Sequence, residues 1–310
     1  MFDLKKHKIH LTIIGGSLII LTILLLCLIG NNEEDKLTEE QKFNRNALHC
    51  ATLPTLDCLP IFVAYEDSIF SAQQLDIILM PFQSGMDCDT ALVGGSAQIG
   101  VSDVVRAQRL IRKRVPLDFL SATNQRYSLM TNGKARIRTI KDFDDKLIAI
   151  TRFSATDFLA EYAIDSVKLN RQKVYRAQIN DLDIRVKMLV NKELDGALLP
   201  EPQATEVQNM KSIRCADFHE IPYHFGAIVL RSDLTKDSKR KEQIKKFRRA
   251  YDMAVDSINK YGLQHYGKYI NKYCHVKTST IDSLKAQTFT HIKPINVTYI
   301  KLAQNWLNKH

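Results

Sequence analysis

Glycine, proline, cysteine and tryptophan are all scarce in this sequence of 310 residues, at 12, 8, 6 and 1. So little glycine and proline excludes a collagen-like or linker-dominated chain. A content of 45% apolar and 25% charged residues excludes a disordered one. Six cysteines in a chain of this length exclude a disulfide-knotted miniprotein. No Cys-x-x-Cys pair occurs, and neither His49-Cys50 nor His219 with His224 has the companion ligands of a zinc site, so no metal is expected. No Ser-His-Asp order and no paired His-Glu motif stands out, so no catalytic residue is nominated. Internal repeats at solenoid periods are missing as well. The length predicts about two domains.

What is present begins with Leu11 to Ile29, 19 residues without a charge. As a helix this run would span roughly 28 Å, close to the thickness of a bilayer core. Lys5, Lys6 and Lys8 precede it, while Glu33, Glu34 and Asp35 follow, which predicts a cytoplasmic stub and an exported remainder. A signal peptide has a shorter apolar core of about 7–15 residues and a small-x-small exit, so residues 1–30 read as an uncleaved anchor. The alternative is a lipoprotein signal acylated at Cys27, although Leu26 stands where Gly, Ala or Ser is usual. Residues 31–42 are polar and charged and read as a spacer, with order beginning near Phe43.

Five cysteines remain beyond the run: Cys50, Cys58, Cys88, Cys215 and Cys274. An odd number leaves at least one unpaired in a monomer. A Cys50–Cys58 bridge needs a sharp turn at Leu53–Pro54–Thr55, because eight residues of straight strand would hold the α-carbons about 26 Å apart. Both outcomes stay open. The net charge is +10, and the part beyond residue 30 stays basic. Much of that charge lies in Lys236–Arg249, on one side of a helix whose other side carries Ile244, Phe247, Tyr251, Ala254, Val255 and Ile258. A solvated helix face therefore explains the basic run, and no nucleic-acid partner is expected.

From Phe43 onward, short apolar runs alternate with helical patterns. Strands are predicted at 47–53, 75–81 and 97–101, with helices at 60–70, 87–93 and 102–111. A second set has strands at 146–151, 174–179 and 195–199, with helices at 154–169 and 181–191. This is the pattern of α/β lobes with parallel sheets covered on both faces. In such sheets ligands bind beyond the carboxyl ends of strands, where loops enter helices. Those junctions are Thr55, Asp57 and Cys58 before Pro60; Gly85, Met86 and Asp87; Ser102 and Asp103; and Arg152, Phe153 and Ser154. Pro60 suits a first helical turn, Gly85 a tight turn, and Asp87, Ser102, Asp103 and Ser154 are candidate caps. Each is also explained by helix capping alone. Cys58 and Cys88 lie either close to the cleft or inert in the core.

Two stretches go further. Pro60, Ala64, Phe70, Leu75 and Asp76, together with the segment Asp195-Gly-Ala-Leu-Leu-Pro-Glu-Pro-Gln-Ala-Thr205, resemble bacterial substrate-binding proteins of the nitrate/sulfonate/taurine and thiamine-precursor group. Where that family has glycines, this chain has Ser68 and Gln74. The run from Gly85 to Asp103 parallels the family's helix–Gly–strand–Ser/Asp order, and the resemblance extends over about residues 48–261. It implies a type II periplasmic binding-protein fold: lobe 1 at 43–122 plus 225–310, lobe 2 at 123–224, and crossings near 121–127 and 221–227. The implied function is the extracytoplasmic solute-binding component of an ABC importer, a monomer that encloses a small polar ligand such as a sulfonate or a pyrimidine and delivers it to a permease. No cofactor and no catalysis are implied. Thr123, Asn124, Glu201 and Pro202 join the junction residues as expected ligand contacts. Arg152 would meet a carboxylate, sulfonate or phosphate, whereas Asp57, Asp87 and Asp103 would meet an amine-bearing ligand. The alternatives are a ligand-sensing ectodomain and an enzyme on the same fold. The cysteine-rich motif of yeast-type thiamine-pyrimidine synthases has no counterpart here.

Overall fold

The structure is a computed structural model and describes residues 38–218 and 224–310. The expected anchor at Leu11–Ile29 and Cys27 lies outside the described residues, as does part of the expected return crossing. Among the described residues no helix is long and apolar enough to cross a membrane. The end of the expected spacer is helical: α1 (Glu39–Asn46) starts at a capping box in which Thr38 Oγ1 accepts from Gln41 N and Gln41 Oε1 accepts from Thr38 N. Order thus begins before Phe43.

From Leu48 on, the chain builds two five-stranded sheets. The first contains β1 (Leu48–Thr52), β2 (Ile77–Pro81), β3 (Ile99–Asp103), β4 (Leu117–Ala122) and β10 (Gly226–Arg231), in the order β2-β1-β3-β10-β4. The second contains β5 (Tyr127–Thr131), β6 (Lys146–Ile150), β7 (Val174–Gln178), β8 (Gly196–Pro200) and β9 (Ile213–Asp217), in the order β7-β6-β8-β5-β9. The expected parallel pairing holds for β2-β1-β3 and β7-β6-β8 only. The strands that arrive from the opposite lobe, β10 and β5, run antiparallel to both of their neighbours. A chain that crosses directly between lobes has no covering helix to reverse it, so the entering strand points against the βαβ set. Strands β3 and β8 are buried along their whole length, as interior strands covered on both faces must be.

Helices follow the junctions: α2 (Leu59–Glu66), α3 (Ile69–Ala72), α4 (Gly85–Gly94), α5 (Val104–Arg112), α6 (Ala155–Ser166), α7 (Leu182–Val190) and α8 (Gln203–Asn209). The C-terminal part adds α9 (Ser238–Tyr261), α10 (Gly267–Cys274), α11 (Thr278–Ser283) and α12 (Val297–Leu307). In α9 the six apolar residues expected inside are all buried, while Lys241, Lys245, Arg248 and Arg249 are exposed, as a solvated basic face requires. Phe247 of α9 stacks on Phe70 with ring centroids 5.5 Å apart.

The C-terminal segment also straps the lobes together. Asn124, in the first crossing, donates to Thr288 O at 2.7 Å and accepts from Thr290 N at 3.1 Å. Further along, Gln304 donates to Gln108 of α5 at 2.9 Å, Trp306 meets Phe158 of α6 edge-on at 6.0 Å, and His310 lies 2.9 Å from Glu161.

The predicted helix at 60–70 is two helices. Ser68 adopts a left-handed backbone with φ 57°, which ends α2 and lets Phe70 turn into the core; Gln74, with φ 55°, then feeds Leu75 and β2. These are the two positions at which the related family carries glycine. A left-handed residue with a Cβ costs roughly 1–2 kcal/mol, and glycine gives back part of that gain in lost chain entropy. Both side chains are exposed. Ser68→Gly and Gln74→Gly should therefore each stabilise the protein by about 0.5–1 kcal/mol, read as a higher urea midpoint with unchanged slope. A lower midpoint would show that the two side chains make stabilising contacts of their own.

Candidate functional site

The carboxyl ends of β1, β2, β3, β6, β7 and β8 face one another across a single cleft, and Asp103 stands at its centre. As the N-cap of α5 it accepts from Arg106 N at 3.0 Å through Oδ1, while Oδ2 takes Arg106 Nε at 2.8 Å. Its Oδ1 also accepts from Ala155 N at 3.0 Å, the first residue of α6 in the other lobe. One carboxylate thus satisfies free N–H groups at two helix starts, one from each lobe.

Arg106 is fully buried and extends the network to Asp89 at 3.1 Å and to the carbonyl of Gly85. A Cβ at residue 85 would fall on the Arg106 guanidinium, so glycine is required there for close approach rather than for a turn. Burial tends to lower the Arg106 pKa, but Asp89 and Asp103 outweigh it and hold the group above its ordinary value. Asp89 goes the other way: burial pushes its carboxyl up to about 6 against the pull of Arg106, and its Oδ2 has no hydrogen-bond partner.

The lobes are in contact along this line. Leu56 N donates to Glu201 O at 2.9 Å, Leu182 N to Gln83 O at 3.1 Å, and Gln203 Nε2 to Pro54 O at 2.6 Å. The cavity left between them is about 40 Å³, and Thr55, Gly85, Asp103, Arg106, Ser154 and Arg185 are among its walls. Gln125, Tyr127, Thr151 and Asn180 complete the polar lining. A larger cavity of about 650 Å³ lies behind the first crossing, beside Asn124, Arg126, Lys293 and Tyr299. Its walls come from the end of β4, the first crossing and the C-terminal segment, and the convergence of buried polar groups makes the smaller cleft the candidate site. Among the described residues no cluster of three His, Cys, Asp or Glu is arranged for a metal.

Of the residues nominated from sequence, Thr55, Gly85, Asp103 and Ser154 line the cleft. Ser154 caps α6 as expected, accepting from Thr156 N at 3.1 Å. Asp57 sits just behind the wall, where Thr55 Oγ1 and Thr123 Oγ1 donate to it at 2.6 and 3.0 Å, and burial raises its pKa. The others are placed elsewhere. The cap of α4 is Ser84, not Asp87; Asp87 is exposed and accepts from Ser84 Oγ at 2.8 Å. Ser102 is inside β3 with its hydroxyl donating to the carbonyl of Asp103, because the strand ends two residues later than expected and leaves the cap to Asp103. Met86 packs its sulfur against Arg109, whose guanidinium also lies 5.8 Å from the exposed ring of Phe153. Phe153 itself has φ 53°, a left-handed turn that swings it outward. Arg152 is half-buried outside the cleft. Asn124 is committed to the C-terminal strap and Thr123 to Asp57. Glu201 pairs with Arg214 at 2.8 Å and takes the N–H of Thr205 at 3.1 Å, and Pro202 is buried at the start of α8. Thus only Pro200 of that segment reaches the cleft.

Sequence reasoning missed Arg106, Arg185, Gln125, Tyr127 and Asn180. Arg106 had a signal in its three-residue spacing from Asp103 on a helix start. Arg185 had none, since Leu182-Asp-Ile-Arg-Val reads as an ordinary amphipathic turn. All five described cysteines are free thiols, so the Cys50–Cys58 bridge does not form. Cys58 and Cys88 are core residues, with burial raising both thiol pKa values, that of Cys88 to about 12. They are inert toward thiolate chemistry.

The family model described as NMT1/THI5 like matches residues 55–261. Among curated proteins none matches in sequence. In structure the chain is similar to the alkanesulfonate-binding protein SsuA from Xanthomonas axonopodis pv. citri bound to MOPS, at 12% identity and TM-score 0.73, over 85% of this chain and 91% of that one. A ligand-binding component of an ABC-type import system from Staphylococcus aureus is similar at 14% identity and TM-score 0.73, over 86% and 93% of the two chains. The periplasmic nitrate-binding protein NrtA from Synechocystis PCC 6803 is similar at 11% identity and TM-score 0.68, over 80% and 74%. At these identities the likeness is one of fold: two α/β lobes of the periplasmic binding-protein type.

The raised Asp89 pKa carries a pH signature. Between about pH 4 and 6 the folded state holds its proton more tightly than the unfolded chain, so the stability contributed by Asp89 falls as pH rises through that window and is level above it. Asp89→Asn removes the titration. The unfolding free energy of the variant minus that of the wild type should grow by about 2–3 kcal/mol from pH 4 to pH 7, measured by urea denaturation. A difference that does not change with pH would rule out a buried, titrating Asp89.

Proposed function

The chain belongs to the NMT1/THI5-like family, and from that membership we propose that it is the extracytoplasmic solute-binding component of an ABC importer. It encloses a small polar molecule between a discontinuous lobe 1, residues 43–122 with 225–310, and lobe 2, residues 123–224. It then passes the molecule to a permease, working as a monomer and without a cofactor. One observation carries the reading: strand ends and helix starts of both lobes converge on one cavity walled by buried polar groups. Such groups orient a solute once the lobes meet around it. The similarity to structures described as sulfonate-binding and nitrate-binding points the same way. The role calls for binding and release of an unchanged solute, and nothing in it calls for turnover. The charge-free run at Leu11–Ile29, flanked by lysines before and acidic residues after, supports a tether that holds the domain on the outer face of a membrane, beside its transporter.

The test is ligand capture by the full chain. Native mass spectrometry should detect a co-purified small molecule, and a solute panel of sulfonates, pyrimidines, carboxylates and amines should contain one class that raises Tm. At a hundred times Kd the expected gain is about 2.7 kcal/mol, or roughly 4–5 °C for a protein of this size. Chemical conversion of the bound solute, or no response to any class, would sink the reading.

A further inference from the structure

Arg185 is a buried charge held by uncharged groups. It lies on α7, is 1% exposed, and forms part of the cleft wall. Its Nε donates to Ile179 O at 3.0 Å, its Nη1 to Leu198 O at 2.7 Å, and its Nη2 to Thr151 Oγ1 at 2.8 Å and again to Ile179 O. Four of its five N–H groups are thus held by uncharged acceptors at the ends of β6, β7 and β8, and one on Nη1 is left over. No carboxylate pairs with it among the described residues. Burial pulls its pKa down to about 10, with Tyr127 and Asp181 opposing. A guanidinium this deep without a counter-ion is costly.

The rest of the wall adds to the imbalance. Asp103 is the one carboxylate lining the cavity, and all of its recorded bonds go to Arg106 and to the N–H of Ala155. Asp57 and Asp89 stand behind the wall, the first held by two threonine hydroxyls and the second facing Arg106. Tyr127 lines the cavity, and its hydroxyl makes no hydrogen bond among the described residues. Gln125 Oε1 and Asn180 Oδ1 are buried without partners. Either amide presents N–H₂ instead of oxygen after a half-turn, so they do not decide the charge of a ligand. Arg185 and Tyr127 do, as donors. The space of about 40 Å³ holds roughly three waters.

We propose that the cleft takes a planar monoanion the size of formate or acetate, and that Arg185, with Tyr127, is the pair that binds its two oxygens. This rests on the solute-binding reading above and narrows its ligand class. An alkanesulfonate, with a tetrahedral head and a tail, exceeds the cavity and would hold apart the interlobe bonds at Leu56–Glu201, Leu182–Gln83 and Gln203–Pro54. Charge recognition thus falls to Arg185 of lobe 2 and not to Arg152.

The experiment is a thermal-shift titration of the full chain with sodium formate, sodium acetate, sodium ethanesulfonate and methylammonium chloride, at ionic strength held constant with sodium gluconate. Formate and acetate should raise Tm saturably, ethanesulfonate and methylammonium should not. Arg185→Gln should weaken acetate at least 30-fold, Arg185→Lys by less than about 10-fold, and Tyr127→Phe by about 10-fold. The tyrosine variant keeps every recorded bond of the fold, so it tests the site even if Arg185→Gln does not fold. Equal acetate binding in wild type and Tyr127→Phe, or a response to ethanesulfonate matching that to acetate, overturns the proposal. A response to methylammonium but not to formate or acetate overturns it while leaving a solute-binding protein. No response to any of the four overturns the proposal, and the solute-binding reading falls with it only if the wider panel of sulfonates, pyrimidines, carboxylates and amines is silent too.

Discussion

The carboxylate of Asp103 is where the two lobes become one structure. It ends β3, caps α5, fixes the Arg106 guanidinium and receives the first N–H of α6 from the opposite lobe. Each of these bonds would be individually modest if exposed, but here both ions are almost fully buried. Loss of either partner would leave a bare charge in the interior, which costs far more than the pair contributes. The arrangement therefore sets the position of neighbouring groups more than it adds stability. Gly85 must be glycine to admit Arg106, Asp89 is drawn into a site that disfavours its charge, and α6 is aimed at the cleft.

The same bond fixes the state in which the cleft is seen. With Asp103 on the α6 start, and with three backbone or amide bonds beside it, the lobes meet and leave a small cavity. On the far side of the crossings, the C-terminal strap joins Asn124, Gln108, Phe158 and Glu161 to one continuous segment. A hinge motion that opens the cleft has to move Asp103 away from Ala155 while α12 keeps its hold on α5.

Much of the architecture was legible. Alternating strand and helix patterns placed ten of the eventual elements within a few residues, because burial on both faces of an interior strand demands a continuous apolar run. The capping role of Ser154 and the place of Pro60 followed from helix-end chemistry. What was not legible was direction. Ser102 and Asp103 were equally good caps on paper, and a strand ending two residues later than predicted chose between them. Asp87 looked like a cap until Ser84 took the position three residues earlier. The antiparallel entry of β5 and β10 followed from the crossings and left no mark in local periodicity.

Sequence alone determined the family, the two α/β lobes, the solvated basic face of α9 and the list of junctions where a ligand can bind, since each is written in local pattern and residue type. The tertiary structure decided which of those junctions share a cavity. It kept Thr55, Gly85, Asp103 and Ser154, turned Phe153 outward through a left-handed backbone, and committed Glu201 to Arg214. It also brought in Arg106 and Arg185. The physical reason is that a charge acquires its role from the groups that surround it after folding: Arg152 and Arg185 are the same residue type in sequence, and only packing places one outside the cleft and the other, without a counter-ion, in its wall.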